Sequence, residues 1–212
     1  MDYSIDSVRN SLYALGKRMI SLERELTDLD SKQGDGDLGL SMSRGGEALC
    51  HVAQSHTDGT LDSLFLACAS AFNKAAPSTL GTLLSMGMRA ISKNLRGCFC
   101  LSEAQLVAFP RILADEISSR GKARLGDKTI LDALLPYATA LETSYQTGKG
   151  LYEAAVEASA EAARAAAATA SMTARTGRAR WLGDRNSGYP DGGAMLCCRI
   201  AEFFCEQIER KE

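Results

Sequence analysis

The stretch IDSVRNSLYALGKRMISLERELTDL, residues 5–29, decides the fold of this chain. Its apolar residues recur at alternating intervals of three and four, in a series that includes Ile5, Leu12, Met19 and Leu26. This spacing forms one apolar stripe along an α-helix of about seven turns. Because such a helix buries its stripe against neighbouring helices, the stretch predicts a helical scaffold.

The rest of the chain repeats this pattern, and capping residues mark several helix starts. Thr60 and Asp191 are typical N-cap residues, and Ser102 with Gln105 has the spacing of a capping box. The further predicted helices cover residues 42–55, 60–75, 82–95, 102–120, 128–147, 150–172 and 191–210.

Local features refine these helices. Pro110 predicts a kink or a later helix start, and Gly121 is well placed as a C′ residue. The alanine-rich stretch 150–172 favours a tightly packed helix over low-complexity disorder. No segment alternates with period two, so strands are not expected. The predicted fold is all-α, an eight-helix antiparallel up-and-down barrel or bundle forming one domain over residues 1–212.

Composition narrows the class of protein. The net charge is −2, so no basic field attracts nucleic acid, and no apolar run is long enough to predict a membrane span. The seven cysteines are odd in number and contain no CxxC pair, which favours reduced thiols in a cytoplasmic protein. With two histidines, a multi-histidine metal site is not expected.

The chemistry-bearing residues are concentrated in alternate helix connections. Residues 29–45, 120–132 and 175–194 are rich in charged residues and glycine, and residues 76–82 are more modest. In an up-and-down arrangement, alternate connections lie at the same end of the bundle. The pattern therefore predicts a ligand site at one rim.

The first of these loops contains three carboxylates. Asp35 and Asp37 flank a glycine, and Asp30 precedes them at the end of the first predicted helix. Carboxylate oxygens are the ligands that Mg²⁺ prefers, and glycines permit close backbone approach. Taken alone, the motif favours an ordinary solvated turn over a metal site.

The last loop is basic. It contains Arg175, Arg178, Arg180 and Arg185, and Gly192 with Gly193 opens a helix whose bare N–H groups suit an anion. Trp181 either anchors this loop on the core or stacks on an adenine. An acidic loop and a basic loop at the same rim together indicate a binding site for Mg²⁺ with a polyphosphate.

Four blocks of sequence resemble the L subunit, or nucleotide-binding domain, of dihydroxyacetone kinase. They are LDSKQGDGDLGLSMSRG at 29–45, STLGTLL at 78–84, RGKARLGDKTILDALLP at 120–136 and ARTGRARWLGDRNSGYPDGGA at 174–194. The family fold is a barrel of eight antiparallel helices, which agrees with the helix count. A fatty-acid kinase nucleotide domain has a similar aspartate motif, but the third and fourth blocks favour the triose kinase branch.

The resemblance implies a nucleotide site with two Mg²⁺ ions held by Asp30, Asp35 and Asp37, with Arg178 beside them as a catalytic residue. ADP or ATP would stay bound as a cofactor. It would pass phosphate from a phosphohistidine protein of the phosphotransferase system to a sugar on a separate substrate subunit, in glycerol metabolism. The nucleotide-binding positions implied are Leu38, Gly39, Leu40, Ser41, Thr79, Leu80, Gly121, Ile130, Arg178, Asp191, Gly192 and Gly193.

The chain departs from the family pattern where phosphate is expected. Leu38 replaces a histidine or cysteine, and Ser41 replaces an asparagine. The family's Gly-Gly-Thr-Ser-Gly loop is 77–81 here, where Pro77 removes a backbone donor and Leu80 removes a hydroxyl. The family's Asp-Pro-Gly is Asp-Gly-Gly at 191–193.

Two other functions stay open on the sequence. The altered 77–81 loop is consistent with a non-catalytic adaptor that senses nucleotide. An ATP-exchanging component of a sugar kinase would instead release and rebind nucleotide rapidly. The sugar, the phosphoryl donor and any self-association are not defined by the sequence.

Overall fold

The computed structural model describes residues 2–56, 59–176 and 188–209, and these residues are mainly helical. Nine α-helices are present in those ranges, with a 3₁₀ turn at Thr169–Ser171 and two short strands. In chain order they are β1 (Asp2–Ser4), α1 (Ile5–Ser21), α2 (Glu23–Asp30), α3 (Leu38–Ser55), α4 (Leu61–Ala75), α5 (Thr79–Asn94), β2 (Cys100–Ser102), α6 (Glu103–Gly121), α7 (Leu131–Gln146), α8 (Leu151–Ala168) and α9 (Gly192–Glu209).

The first predicted helix and the expectation of no strands both differ from the structure. The first predicted helix is interrupted at Leu22, which caps α1, and α2 begins at the next residue. The expectation of no strands is wrong, because β1 and β2 pair antiparallel, with Tyr3 opposite Leu101. Each strand has three residues, too few to show a period-two pattern.

The predicted caps are confirmed. The N–H of Thr60 donates to Ser63 Oγ at the start of α4 (3.2 Å). At the start of α6 the N–H of Ser102 donates to Gln105 Oε1 (3.0 Å), and the N–H of Gln105 donates to Ser102 Oγ (3.3 Å). These reciprocal bonds satisfy N–H groups that have no partner within the helix.

Several helix ends differ from prediction. Helix α3 begins at Leu38 rather than residue 42, and α7 begins at Leu131 rather than residue 128. Helix α5 begins at Thr79 rather than residue 82, because Ser78 Oγ accepts the N–H of Gly81 (3.1 Å). Pro110 lies inside α6, so that helix does not start later. Gly121 is the last residue of α6 rather than its C′ residue, and Lys122 takes the left-handed conformation, with φ of 56°.

The chain divides into two compact units. The first comprises residues 1–23 and 40–121, and Gly16 of α1 and Gly46 of α3 face each other within it. A Cβ on Gly16 would lie 2.4 Å from the backbone oxygen of Gly46. Glycine at both positions therefore lets the two helices cross in backbone contact. The prediction of a single domain stays a prediction.

The second unit comprises residues 24–39 and 122–212, and α7, α8 and α9 pack together in it. The alanines Ala154, Ala158, Ala162 and Ala166 of α8 are fully buried. Small side chains allow close helix packing. The prediction that the alanine-rich stretch is a packed helix is confirmed.

All seven cysteines lie in the described ranges and carry free thiols, as predicted. Cys50, Cys68, Cys197 and Cys198 are buried and pack as small apolar side chains. Across the described residues, no helix combines the length and the apolar character that a membrane span requires.

Candidate functional site

The acidic loop, residues 30–38, joins the end of α2 to the start of α3 in the second unit. One carboxylate oxygen each from Asp30, Asp35 and Asp37 lies within 4.8 Å of the others. Asp30 is half-buried and Asp35 is exposed. Three hard oxygen donors at this separation fit a divalent cation such as Mg²⁺.

The backbone holds Asp30 in place. Its carbonyl oxygen accepts the N–H groups of Gln33 (2.9 Å) and Gly34 (2.6 Å). Its carboxylate Oδ2 accepts the N–H of Leu38, the first residue of α3 (3.3 Å). A Cβ on Gly34 would lie 2.6 Å from Asp30 Oδ1, so the loop needs glycine there to leave room for the carboxylate.

The sharp turn within the acidic loop depends on Gly36. Its φ is +76°, and a Cβ there would lie 2.7 Å from Ser31 Oγ. Glycine adopts this left-handed conformation without steric cost. Gly36 lies between Asp35 and Asp37 and so allows both to approach Asp30.

The first turn of α9 lies beside this loop. Asp191 Oδ2 accepts the N–H of Ala194 (2.8 Å), which confirms Asp191 as the N-cap. A Cβ on Gly192 would lie 2.6 Å from Leu38 Cδ2, so α9 contacts the start of α3 at the acidic loop. A Cβ on Gly193 would lie 3.2 Å from Cβ of Ile130. The structure therefore brings Leu38, Gly192, Gly193 and Ile130 together, as expected of neighbours in one site.

The cap of α9 is electrostatically unusual. Burial raises the pKa of the Asp191 carboxyl to about 6, although the N–H of Ala194 acts to lower it. Burial also lowers the pKa of the Lys128 ammonium, and Asp191 acts in the opposite direction. Lys128 is buried and takes a positive φ of 60°. A non-glycine residue in this conformation is uncommon.

Asp132 organises the loop that precedes α7. It is buried, and its carboxylate accepts the N–H groups of Gly126 (2.5 Å) and Thr129 (2.7 Å). These bonds give Asp132 a structural role at the start of α7.

Contacts to residues 188–191 were not predicted. Gln33 Nε2 donates to the Pro190 carbonyl (2.6 Å), and Lys32 Nζ lies 5.0 Å from the centre of the Tyr189 ring. The N–H of Asp191 donates to the buried hydroxyl of Thr169 (2.8 Å). No local pattern indicates these pairs, because Gln33 and Pro190 are 157 residues apart in the chain.

The remaining residues that the sequence predicts for the site lie in different parts of the chain. Gly39 is buried in the first turn of α3, within the second unit. Five belong to the first unit, namely Leu40 and Ser41 in α3, Thr79 and Leu80 in the first turn of α5, and Gly121 at the end of α6. Arg178, Arg180, Trp181 and Arg185 lie outside the described residues. The nucleotide-binding roles of all these positions stay predictions.

Comparison with known proteins identifies the family. The model of the DAK2 domain matches residues 32–206, and the chain belongs to this family. The ADP-binding subunit DhaL of the PEP-dependent dihydroxyacetone kinase of Escherichia coli K12 is 32% identical over 198 residues, which are 92% of each chain. The resemblance to the nucleotide-binding L subunits is thereby confirmed.

Other relatives are longer. L-erythrulose 1-kinase of Mycolicibacterium smegmatis is 35% identical over 89% of this chain but only 33% of its own length. The L-erythrulose kinase of Pectobacterium atrosepticum is 32% identical, and 30% of its length is matched. The chain thus spans about a third of the length of these kinases.

The solved structures agree on the fold. The dihydroxyacetone kinase of C. freundii in its native form matches 94% of this chain and 34% of its own, with a TM-score of 0.74 and 21% identity. Its complex with AMP-PNP and Mg²⁺ matches with a TM-score of 0.71 and 20% identity. The predicted all-α fold class is confirmed.

Proposed function

We propose that this chain is the nucleotide-holding, phosphoryl-transfer subunit of a cytoplasmic kinase for dihydroxyacetone or a related short keto sugar. Asp30, Asp35 and Asp37 bind two Mg²⁺ ions, and ADP or ATP binds between these ions and the first turn of α9. The observation that carries the proposal is the carboxylate cluster beside the glycine-started helix, at Leu38 and Gly192.

Different residues of the second unit would bind the cations and the phosphates. The three carboxylates hold the cations, and α9 begins at Gly192, so the positive end of its helix dipole favours an anion there. Bound Mg²⁺ neutralises charge on the phosphates and so favours phosphoryl transfer. Arg178 is proposed to pair with a phosphate oxygen as a bidentate donor.

The partners belong to the same proposal. One relative, matched over 92% of this chain and 92% of its own length, is named as an ADP-binding subunit of a PEP-dependent kinase. By that likeness, a phosphohistidine protein of the phosphotransferase system supplies phosphate to bound ADP, and a separate subunit holds the sugar. The matches to erythrulose kinases support keto sugars as the substrate class.

Calorimetry of ADP binding tests the proposal. The chain is expected to bind ADP with Mg²⁺ and to lose that binding in chelator. Asp35→Asn removes one cation ligand and is expected to weaken Mg²⁺-dependent ADP binding at least about a hundredfold, or ~2.7 kcal/mol.

Asp28→Asn is the matched control. Asp28 is on α2 near the cluster, and its exposed pair with Arg24 spans 3.9 Å and contributes little. This variant is expected to bind like wild type. A wild-type chain without Mg²⁺-dependent ADP binding would overturn the proposal.

A non-catalytic adaptor is the second candidate, and the start of α5 motivates it. Pro77 has no N–H, Leu80 has no hydroxyl, and Ser78 Oγ is already engaged by the N–H of Gly81. An adaptor would bind ADP but transfer no phosphate in a coupled assay with a sugar-binding subunit and a phosphoryl donor. The phosphoryl-transfer subunit would show Mg²⁺-dependent sugar phosphorylation in the same assay.

A further inference from the structure

Gln33 is a buried polar side chain in the acidic loop that the proposed reaction does not use. It is 5% exposed, although its neighbours Lys32 and Gly34 are exposed. Its Nε2 donates to the carbonyl oxygen of Pro190 at 2.6 Å. A buried amide is retained at low cost only when it is hydrogen-bonded, so this bond fixes the side chain in one orientation.

One end of this link is the carboxylate cluster. Gln33 lies between Asp30 and Asp35, and its own N–H donates to the carbonyl oxygen of Asp30 (2.9 Å). A displacement of the Gln33 backbone therefore displaces the segment that places both carboxylates.

The other end is the cap of α9. Pro190 immediately precedes Asp191, whose N–H is held by Thr169 Oγ1 and whose carboxylate accepts the N–H of Ala194. Because the peptide bond is planar, the carbonyl of Pro190 and the N–H of Asp191 move as one rigid group. The cap in turn sets the direction of the first N–H groups of α9.

The neighbouring link through Lys32 is weaker. Lys32 Nζ lies 5.0 Å from the centre of the Tyr189 ring, and both residues are exposed. Exposed cation–π contacts contribute about 0.5–1 kcal/mol, so this contact does not replace the buried bond of Gln33.

We infer that Gln33 is a positioning residue that couples cation binding at Asp30, Asp35 and Asp37 to anion binding at the first turn of α9. The inference rests on the proposed function, since it concerns how the two halves of that site cooperate. Without the Gln33 bond, each half keeps its own residues and the contact of Gly192 with Leu38, but loses the buried hydrogen bond that fixes the loop against the cap. Such a link is measured as a coupling free energy between the binding of the cation and the binding of the anion.

The experiment measures the gain in ADP affinity that Mg²⁺ produces in the full chain. Calorimetric titrations with and without Mg²⁺ are made on wild type, Gln33→Met and Gln33→Asn. Methionine keeps the volume and removes the donor, whereas asparagine keeps the amide but is too short to reach Pro190. In both variants, the factor by which Mg²⁺ increases ADP affinity is expected to be about tenfold smaller than in wild type. ADP affinity without Mg²⁺ is expected to be unchanged.

Gln54→Met on α3 is the matched control, because Gln54 is exposed and far from the acidic loop in sequence. It is expected to retain the full gain. A purely structural role for Gln33 predicts a lower melting temperature with an unchanged gain in affinity, and that result would overturn the inference.

A second readout does not depend on nucleotide. Mg²⁺ alone is expected to slow hydrogen exchange at the amides of Gly193 and Ala194 in wild type but not in Gln33→Met. If wild type shows no Mg²⁺-dependent ADP binding, the proposed function fails, and the exchange data still decide the inference. Equal slowing in wild type and variant, or no slowing in wild type, would overturn it.

Discussion

At the scale of single residues, Gly34 is a sensitive test of the cation site. A Cβ at this position would lie 2.6 Å from Asp30 Oδ1, and the atom that must move is the end of a side chain rather than backbone. Gly34→Ala is therefore expected to leave the melting temperature nearly unchanged while rotating the carboxylate away from its present position. Mg²⁺ affinity, measured by titration, is expected to fall about tenfold, or ~1.4 kcal/mol.

Gly150→Ala is the control for that substitution. Gly150 precedes α8 with φ of −60°, and nothing lies within 4 Å of its added Cβ. This variant is expected to bind Mg²⁺ like wild type. Unchanged affinity in Gly34→Ala would show that the present orientation of Asp30 is not the one that binds the cation.

Some residues of the candidate site are predictable from the sequence, and others are not. Asp30, Asp35 and Asp37 were predictable because they are close in sequence and share one chemistry. Gln33 and Thr169 were not, because each acquires its role from a partner that only the folded chain brings near, Pro190 and Asp191 respectively. A buried amide in a loop carries no local signal of its partner.

At the scale of elements, the crossing of α1 and α3 depends on paired glycines. A Cβ on Gly46 would lie 2.5 Å from the backbone oxygen of Gly16 and 2.9 Å from Cβ of Met19. Alanine improves helix propensity by up to about 1 kcal/mol, but the backbone clash forces the helices apart. Gly46→Ala is expected to lower the free energy of unfolding by about 1–3 kcal/mol in denaturant titration.

Glu47→Ala is the control for the crossing, because Glu47 is the next residue of α3 and is exposed. Its effect is expected to stay within about 0.5 kcal/mol. A stabilised Gly46→Ala variant would contradict the close crossing.

Element boundaries also show which signals are local. The caps of α4, α6 and α9 were predictable, since a capping residue and its partner lie three residues apart. The pairing of β1 with β2 was not, because Tyr3 and Leu101 are distant in sequence. The interruption at Leu22 leaves the apolar stripe unbroken, so periodicity alone does not reveal it.

At the scale of the whole molecule, the chain passes between its two compact units three times. The passages fall at residues 23–24, 39–40 and 121–122, and the second lies inside the continuous helix α3. Helical hydrogen bonds span that passage, so unfolding one unit removes part of a helix that begins in the other. This connectivity favours cooperative unfolding of the chain as one domain.

Scanning calorimetry tests that expectation. One transition is expected, with a van't Hoff enthalpy equal to the calorimetric enthalpy of about 150 kcal/mol near 60 °C for a chain of this length. Separate melting of two units of similar size would give a van't Hoff enthalpy of about half that value. Gly46→Ala changes only the first unit, and in a cooperative chain it shifts the whole transition to lower temperature. A shift confined to one of two resolved peaks would instead show that residues 1–212 do not unfold as one domain.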